Sequence, residues 1–296
     1  MSGRKAKMKD KLQTPYSANL FEIRRIFGIR KPIISMLHLA SLPGQPGFIS
    51  IEHVLAEAKR DLIPLQQGGV NGLLVENWKE DSNTIETKPQ TAIGMFQVIQ
   101  QLKPFISVPF GINVLNNDYT AAFWIASETQ ASFVELDVFI DHVRSNFEYS
   151  EIGKLHPFEI KVDIADVARK RAKFGLAKTP LLVFIQPKHY LMLDENKTVE
   201  QSANEAVEAG ADGLLVTKAT GVAPEIDRIR NTKKGLKNPV PVGIGSGFTA
   251  ENAPDFMPVV DFVVVGSALK FNGEVNNPVD LERVKKLMAI VQPFQY

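Results

Sequence analysis

Short runs of apolar residues recur along the chain from Ile33 onward, and each run is followed by a polar loop and a longer segment with helical spacing. A short, continuous apolar run is typical of a parallel strand that is buried on both faces. Eight runs of this kind are predicted as strands: Ile33–Leu39, Gly72–Glu76, Val108–Leu115, Phe133–Asp137, Leu181–Gln186, Gly213–Thr217, Val240–Ile244 and Phe262–Val265. The pattern therefore predicts a repeated βα unit.

The segments between these runs carry apolar residues three and four positions apart, which predicts amphipathic helices. The predicted helices include Ile51–Gln67, Thr91–Lys103, Tyr119–Glu128, Ile164–Phe174, Val199–Ala209 and Asp280–Val291. Eight parallel strands with intervening helices either close into a (β/α)8 barrel or form a doubly wound sheet. Eight units favour a TIM barrel, which we expect to span residues 32–296 as a single α/β domain.

Two segments fall outside this repeat. Residues 1–31 begin with a basic tail, in which Arg4 and four lysines fall within the first 11 residues, and continue with helical apolar spacing. We expect a solvated tail and an N-terminal helix packed on the barrel, because a membrane-surface helix needs more apolar area. A long loop at about 138–158 is predicted after the fourth strand. Such loops often form a lid or an oligomer contact, and we expect a homo-oligomer.

The composition excludes several classes of protein. The 34 Lys and Arg residues nearly balance 33 Asp and Glu residues, and the net charge of +1 creates no overall field for nucleic acid or an anionic membrane. The chain has no cysteine, which excludes disulfides and cysteine nucleophiles. There is no signal-peptide pattern and no apolar run near the roughly 18 residues that suggest a membrane span. We therefore expect a cytoplasmic protein with no transmembrane segment and no nucleic-acid partner.

The two loops that follow the last predicted strands carry the clearest chemical signal. They read Gly245-Ser246-Gly247 and Gly266-Ser267. Glycine lets the backbone approach a ligand closely, and successive backbone N–H groups can hold an anion. Barrels commonly bind phosphate in the loops after strands seven and eight. These glycines could also serve only as tight turns, but their combined position predicts a phosphate-binding site.

The other strand ends supply candidates for catalysis. Glu76 ends a very apolar strand, so its carboxyl must be paired or have a raised pKa, and we expect a general acid or base. Lys188 is expected to stabilise developing negative charge, with a base or Schiff-base role as alternatives. His38 is the third catalytic candidate, although a histidine in an apolar strand is as often a hydrogen-bonded core residue. The candidate ligand-binding residues are Asn77, Asn113, His189, Thr217 and Thr220.

Two further points limit the chemistry. No histidine pair has the spacing of metal ligands, so we expect neither a metal nor a cofactor. Alternation along the sixth strand places Thr217 and Lys218 on opposite faces, so only one of them points into the barrel. The sequence leaves open which one.

Several motifs occur in an order that resembles the BtpA/SgcQ family. They are Lys31–Leu39 followed by Leu42-Pro43-Gly44-Gln45-Pro46, Val75-Glu76-Asn77, Gly111–Leu115, Lys188-His189, Thr220-Gly221, Gly245-Ser246-Gly247, Val265–Lys270 and Asn277-Pro278-Val279-Asp280. The resemblance spans about Leu20 to Val291 and implies a TIM barrel of the ribulose-phosphate-binding type. It brings no settled reaction, because the family includes a protein needed for photosystem I accumulation and members regarded as nucleosidases or sugar-phosphate enzymes.

The chain also departs from the family pattern. Before Lys188 the family has Ala-Asp, whereas the fifth strand of this chain carries Phe184 and no acid. After the fourth strand the family has an arginine, where this chain offers Glu135 and Asp137. The run from Thr217 to Gly221 resembles deoxyribose-phosphate aldolases, but Thr217 stands where those enzymes have the Schiff-base lysine, which argues against aldolase chemistry.

Two hypotheses follow from the sequence. The leading one is a TIM-barrel enzyme that binds a small phosphorylated sugar or a nucleoside-like ligand, of the isomerase/epimerase or nucleosidase type. The alternative is a non-catalytic binding or assembly factor of the BtpA type, including a membrane-peripheral role through the basic tail. The missing acid on the fifth strand favours the alternative. The polar residues at the ends of the strands, which we call the rim, favour the enzyme.

Overall fold

In the computed structural model, which describes residues 23–80, 84–146 and 157–296, the predicted strands close into a parallel barrel. The barrel strands are β1 (Ile33–His38), β2 (Gly72–Glu76), β3 (Phe110–Asn113), β4 (Phe133–Leu136), β7 (Leu181–Phe184), β9 (Gly213–Val216), β10 (Val242–Ile244) and β11 (Phe262–Val265). Each strand pairs with the next, and β1 pairs with β11 to close the ring. The predicted TIM barrel is confirmed.

Helices cover the outside of the barrel. They are α1 (Ile51–Gln67), α2 (Pro89–Leu102), α3 (Tyr119–Thr129), α4 (Ile164–Lys173), α5 (Val199–Glu208), α6 (Ile226–Gly235), α7 (Ala253–Phe256) and α8 (Leu281–Val291), with single-turn 3₁₀ helices at Lys103–Phe105, Ser267–Leu269, Phe271–Gly273 and Gln292–Phe294. Side chains such as Ser50 and Asp118 accept backbone N–H bonds at the helix starts. These caps satisfy N–H groups that have no partner within the helix.

The amino-terminal half of the barrel interior is filled by large side chains. Phe133 and Phe262 lie against glycines of neighbouring strands, and a Cβ added at Gly111 would come within 2.2 Å of the Phe133 ring. Ile23 and Phe27, in the helical residues 23–27, pack against the same cluster. Polar chemistry is therefore confined to the carboxyl ends of the strands. Among the described helices, none is both long and apolar enough to cross a bilayer.

The two segments outside the repeat are only partly described. The expected N-terminal helix is seen at residues 23–27, whereas the basic tail lies outside the described residues. In the predicted loop at 138–158, residues 147–156 also lie outside them. The rest contains β5 (Val143–Ser145), which pairs antiparallel with β6 (Glu159–Ile160) and β8 (Tyr190–Met192). Strands of two or three residues are too short to produce a readable periodicity, so the sequence pattern did not predict this small sheet.

Candidate functional site

The carboxyl ends of the barrel strands surround a cavity of about 420 Å³. All three predicted catalytic residues line it, together with both glycine loops. The predicted residues on its wall are His38, Glu76, Lys188, His189, Thr220, Gly245, Ser246, Gly247, Gly266 and Ser267. The remaining predicted residues do not line the cavity: they are Asn77, Asn113 and Thr217. They lie beside it and hold residues of its wall in place.

A carboxyl pair on β4 and the residue after it forms the centre of the site. The Asn113 side chain donates from Nδ2 to Glu135 Oε1 at 2.9 Å and to Asp137 Oδ1 at 3.0 Å. Burial, followed by the charge of Asp137, raises the pKa of Glu135 well above its ordinary value, and burial also raises the pKa of Asp137. Burial therefore favours the protonated form of Glu135. Its Oε2 is buried and has no hydrogen-bond partner among the described residues.

Glu76 and His38 form a second, uncharged pair. Burial, followed by the charge of Asp137, raises the pKa of Glu76 to about 8. Burial lowers the pKa of His38 well below its ordinary value, and the nearby lysines act in the same direction. His38 Nε2 lies 3.6 Å from Glu76 Oε1, and the imidazole stacks on Trp78 with 5.0 Å between ring centroids. At neutral pH the pair is mainly a carboxylic acid beside a neutral imidazole.

Lys188 is the cation that faces these acids. Its charge lowers the pKa of Glu76, Glu135 and Asp137, and its Nζ lies 3.5 Å from the Gly245 carbonyl oxygen. The backbone of its loop is held in an unusual shape, since Gln186 and His189 have φ angles of +47° and +66°. Non-glycine residues adopt such angles only where the surroundings enforce them.

Two contacts hold the loop around Lys188. The backbone N–H of Gln186 donates to Asp141 Oδ2 at 2.7 Å, and His189 Nε2 lies 2.7 Å from Thr220 Oγ1. Burial, followed by the charge of Lys188, lowers the pKa of His189 to about 4. His189 is therefore neutral at physiological pH and can serve as a hydrogen-bonding group.

The glycine loops have two distinct roles. The Ser246 hydroxyl bonds to Thr217 Oγ1 at 2.8 Å and to the Lys218 N–H at 3.0 Å, so it ties the loop after β10 to the loop after β9. Gly247 has a φ of +64°, and a Cβ there would lie 2.0 Å from the Ala223 nitrogen. These features serve packing. Within the described chain, no internal hydrogen bond uses the N–H of Gly247 or Ser267, which leaves these backbone groups open to a ligand.

The structure also resolves the open choice on β9. Thr217 is buried against Ser246, whereas Lys218 is half exposed and pairs with Glu225 at 2.5 Å. Asn77 is buried too, and its amide bonds to the backbone of Leu115 in both directions. Thr217 and Asn77 thus position the rim loops.

Sequence reasoning gave no site role to several residues that line the cavity. Among them are Trp78, Glu135, Asp137, Glu251, Arg283 and Lys286. The acids carried a readable signal, because Glu135 and Asp137 are two positions apart and point to one face. Arg283 and Lys286 belong to α8 and carried none, since exposed helices are commonly rich in such residues. No group of three potential metal ligands occurs in the described parts of the chain.

Solved structures share this fold at low sequence identity. The (S)-3-O-geranylgeranylglyceryl phosphate synthase of Thermoplasma acidophilum, in complex with sn-glycerol-1-phosphate, matches with a TM-score of 0.54 and 14% identity over 93% of this chain and 98% of that one. The 3-hexulose-6-phosphate synthase of Salmonella typhimurium matches with a TM-score of 0.54 and 13% identity over 89% and 99%. At these identities the likeness establishes the fold alone.

Sequence relatives cover nearly the whole barrel. An uncharacterized protein of Pyrococcus furiosus is 32% identical over 265 residues, which is 88% of this chain and 95% of that protein. The putative sgc region protein SgcQ of Escherichia coli is 26% identical, over 91% and 97% of the two chains. The photosystem I biogenesis protein BtpA of Synechocystis is 27% identical over 89% and 88%. The model of the BtpA family matches residues 29–293, and the chain belongs to that family.

Proposed function

We propose that the protein is an enzyme that moves protons on a phosphorylated sugar, as isomerases and epimerases do. One observation carries this proposal: a single cavity joins the two glycine loops to the cluster of acids around Lys188. A phosphate bound at the glycine loops would place the carbon skeleton of the sugar next to these acids. Two proteins with the same fold are named for phosphorylated compounds, which agrees with the proposal.

The phosphate would be held mainly by the backbone. Gly247 and Ser267, whose N–H groups make no hydrogen bond within the described chain, line the same cavity as Arg283 and Lys286 of α8. Backbone N–H groups and nearby cations both favour a bound anion. Lys286 also pairs with Glu251 at 2.6 Å, so α8 is joined to the loop after β10.

The acids supply both halves of a proton transfer. Asp137, the member of the carboxyl pair nearer to ionisation, takes a proton from the carbon next to the sugar carbonyl. Glu135 gives its proton to the carbonyl oxygen, and the two steps reverse on the adjacent carbon. Lys188 stabilises the negative charge that develops on oxygen. A raised carboxyl pKa suits this role, because acid–base groups work best when their pKa lies near the working pH.

A nucleosidase is the second candidate, and Trp78 favours it. The indole lines the cavity beside His38 and Glu76. Aromatic side chains of this kind stack on nucleobases. In this reaction, protonated Glu76 gives its proton to the departing base as the glycosidic bond breaks, and a carboxylate stabilises the positive charge left on the sugar. Water then adds to that carbon and gives its proton to the carboxylate.

Proton NMR in D₂O distinguishes these reactions. The wild type is incubated with ribose 5-phosphate, ribulose 5-phosphate, fructose 6-phosphate and ribonucleoside 5′-phosphates. Deuterium at the carbon next to the carbonyl supports the isomerase or epimerase, and release of a free base supports the nucleosidase. Glu135→Gln should abolish exchange and Ser267→Asp should weaken binding, whereas the exposed Glu195→Gln is the control. Exchange that persists in Glu135→Gln would show that the assigned acid is wrong.

Binding without turnover would favour the non-catalytic alternative, a binding or assembly factor. The Synechocystis relative is named as a photosystem I biogenesis protein, which is the observation in its favour.

A cytoplasmic homo-oligomer remains our proposal for compartment and assembly, and light scattering coupled to gel filtration tests the oligomeric state. A monomer at all concentrations would remove the oligomer.

A further inference from the structure

A second cavity lies beside the loop that carries Lys188. It measures about 600 Å³ and shares Lys188 and His189 with the first cavity. Its wall consists of Asn146, Gln186, Pro187, Lys188, His189, Thr217, Lys218, Ala219 and Arg228. Among the described residues, this wall contains two lysines and one arginine and no acid. A cavity with such a lining attracts an anion.

Arg228 is the residue that distinguishes this cavity from an ordinary basic surface. Its guanidinium is partly buried, and within the described residues its Nη2 donates a hydrogen bond to Gln186 Oε1 at 3.0 Å. Its Nε is buried with no partner among the described residues, and no carboxylate of those residues lies within 4.0 Å. A partly buried cation is normally paired, because removing it from water is unfavourable.

The position of Arg228 in its helix adds to that cost. It occupies the first turn of α6, where the helix dipole is positive and a cation is unfavourable. The charge of Glu225 acts on the guanidinium, but the Glu225 carboxylate contacts Lys218 at 2.5 Å. Gln186 holds the guanidinium at the cavity wall and is itself fixed through Asp141. The chain thus positions a cation that has no ion pair within 4.0 Å among the described residues.

We propose that the second cavity binds a second phosphate group of the same ligand, so that the substrate class is a sugar bisphosphate. The inference rests on the proposed function, because the first phosphate is placed on the glycine loops. Arg228 and Lys218 would contact the second phosphate. Lys188 and His189, which line both cavities, would lie beside the sugar between the two phosphates.

Isothermal titration tests the proposal with ribulose 5-phosphate and ribulose 1,5-bisphosphate at low salt. In the wild type, the bisphosphate should bind at least about tenfold more tightly, as expected for a new charge-assisted contact. Arg228→Gln should remove most of that gain and leave the monophosphate affinity unchanged. The matched control is Arg230→Gln, which removes an exposed cation of the same helix that pairs with Asp227. Equal effects of the two variants, or no gain for the bisphosphate, would overturn the proposal.

Two additional variants separate this inference from the proposed function. Ser267→Asp places a negative charge in the glycine loops and should weaken both sugar phosphates. If neither sugar phosphate binds the wild type, inorganic phosphate is titrated instead. If only Arg228→Gln loses phosphate binding, the second cavity is supported as a phosphate site and the glycine loops are not. If the wild type does not bind phosphate, or if only Ser267→Asp loses binding, the second cavity is refuted as a phosphate site. If Arg228→Gln does not fold, Arg228→Lys replaces it, because lysine keeps the charge. This variant should still lose part of the extra affinity for the bisphosphate. An undiminished extra affinity would refute the role of the guanidinium.

Discussion

Replacing Glu76 with glutamine tests the electrostatics of the site without knowledge of the substrate. Glutamine has the shape of a protonated glutamate, and burial raises the pKa of Glu76 to about 8. Because the folded-state pKa lies above the unfolded value of about 4.5, this group contributes most stability below pH 4.5 and loses that contribution as the pH rises through about 8. The variant has no such dependence. We therefore expect Glu76→Gln to gain stability relative to the wild type as the pH increases.

The magnitude follows from the raised pKa. The gap between 4.5 and about 8 corresponds to about 5 kcal/mol at about 1.4 kcal/mol for each pKa unit. Between pH 6 and pH 9, the wild type should lose about 3 kcal/mol of unfolding free energy through this carboxyl alone. Other carboxyls, including Glu135 and Asp137, also respond to pH. They are present in both proteins and cancel in the difference except for their repulsion from ionised Glu76, which destabilises only the wild type at high pH and so acts in the same direction.

Urea unfolding at pH 6 and pH 9 measures this difference. The free energy of unfolding is extrapolated for both proteins, and unchanged slopes show that the comparison is valid. The exposed Glu195→Gln serves as the matched control for the loss of one glutamate. If the difference between Glu76→Gln and the wild type is the same at both pH values, Glu76 is not held protonated and its role as an acid fails.

Three further variants test other parts of the rim. Ser246→Ala removes a hydroxyl shared by two loops and should lower the unfolding free energy by about 1 to 3 kcal/mol; an unchanged urea midpoint would contradict this. Gly247→Ala should cost more than about 3 kcal/mol, because a new Cβ would meet backbone at 2.0 Å. Gly175→Ala is the matched control, because Gly175 also has a positive φ of +74° but open space around an added Cβ. It should lower the unfolding free energy by only about 1 to 2 kcal/mol, and equal losses in the two variants would refute the steric argument. Lys188→Met should raise the pH at which the Glu76→Gln difference levels off, because the Lys188 charge lowers the folded-state pKa of Glu76; an unmoved plateau would show that Lys188 does not act on Glu76.

The sequence predicted the framework well where local signals and burial agree. Helix α1 spans the predicted Ile51–Gln67, because the Ser50 cap and the glycines after Gln67 mark its ends. The third strand was predicted as Val108–Leu115 but covers only Phe110–Asn113. Its neighbours Val114 and Leu115 are buried in the rim loop. Apolar runs report burial, so they overestimate strands that continue into buried loops.

The sequence also predicted which strand ends would meet, since a barrel brings them to one face. It could not predict which side chains are used up by packing. Ser246 and Asn77 looked like ligand-binding residues, yet their polar groups hold neighbouring rim loops together. Such bonds depend on loop shapes that arise only from tertiary contacts. Arg228 shows the same limit, because its unpaired state follows from where α6 begins relative to Gln186.

The unpaired polar atoms give the strongest argument against a purely structural role for the rim. Among the described residues, Nδ1 of His38, Nδ2 of Asn117, Oε2 of Glu135 and Nε of Arg228 are buried without hydrogen-bond partners. Each such group costs roughly 1 to 3 kcal/mol when it is left unpaired. Three of these residues, His38, Glu135 and Arg228, line one of the two cavities that share Lys188 and His189. A scaffold selected only for stability has no reason to concentrate this cost at one end of the barrel. A ligand that supplies the missing partners would remove it, so ligand binding should raise stability, and a rim that no phosphorylated ligand stabilises would remove the basis of both proposals.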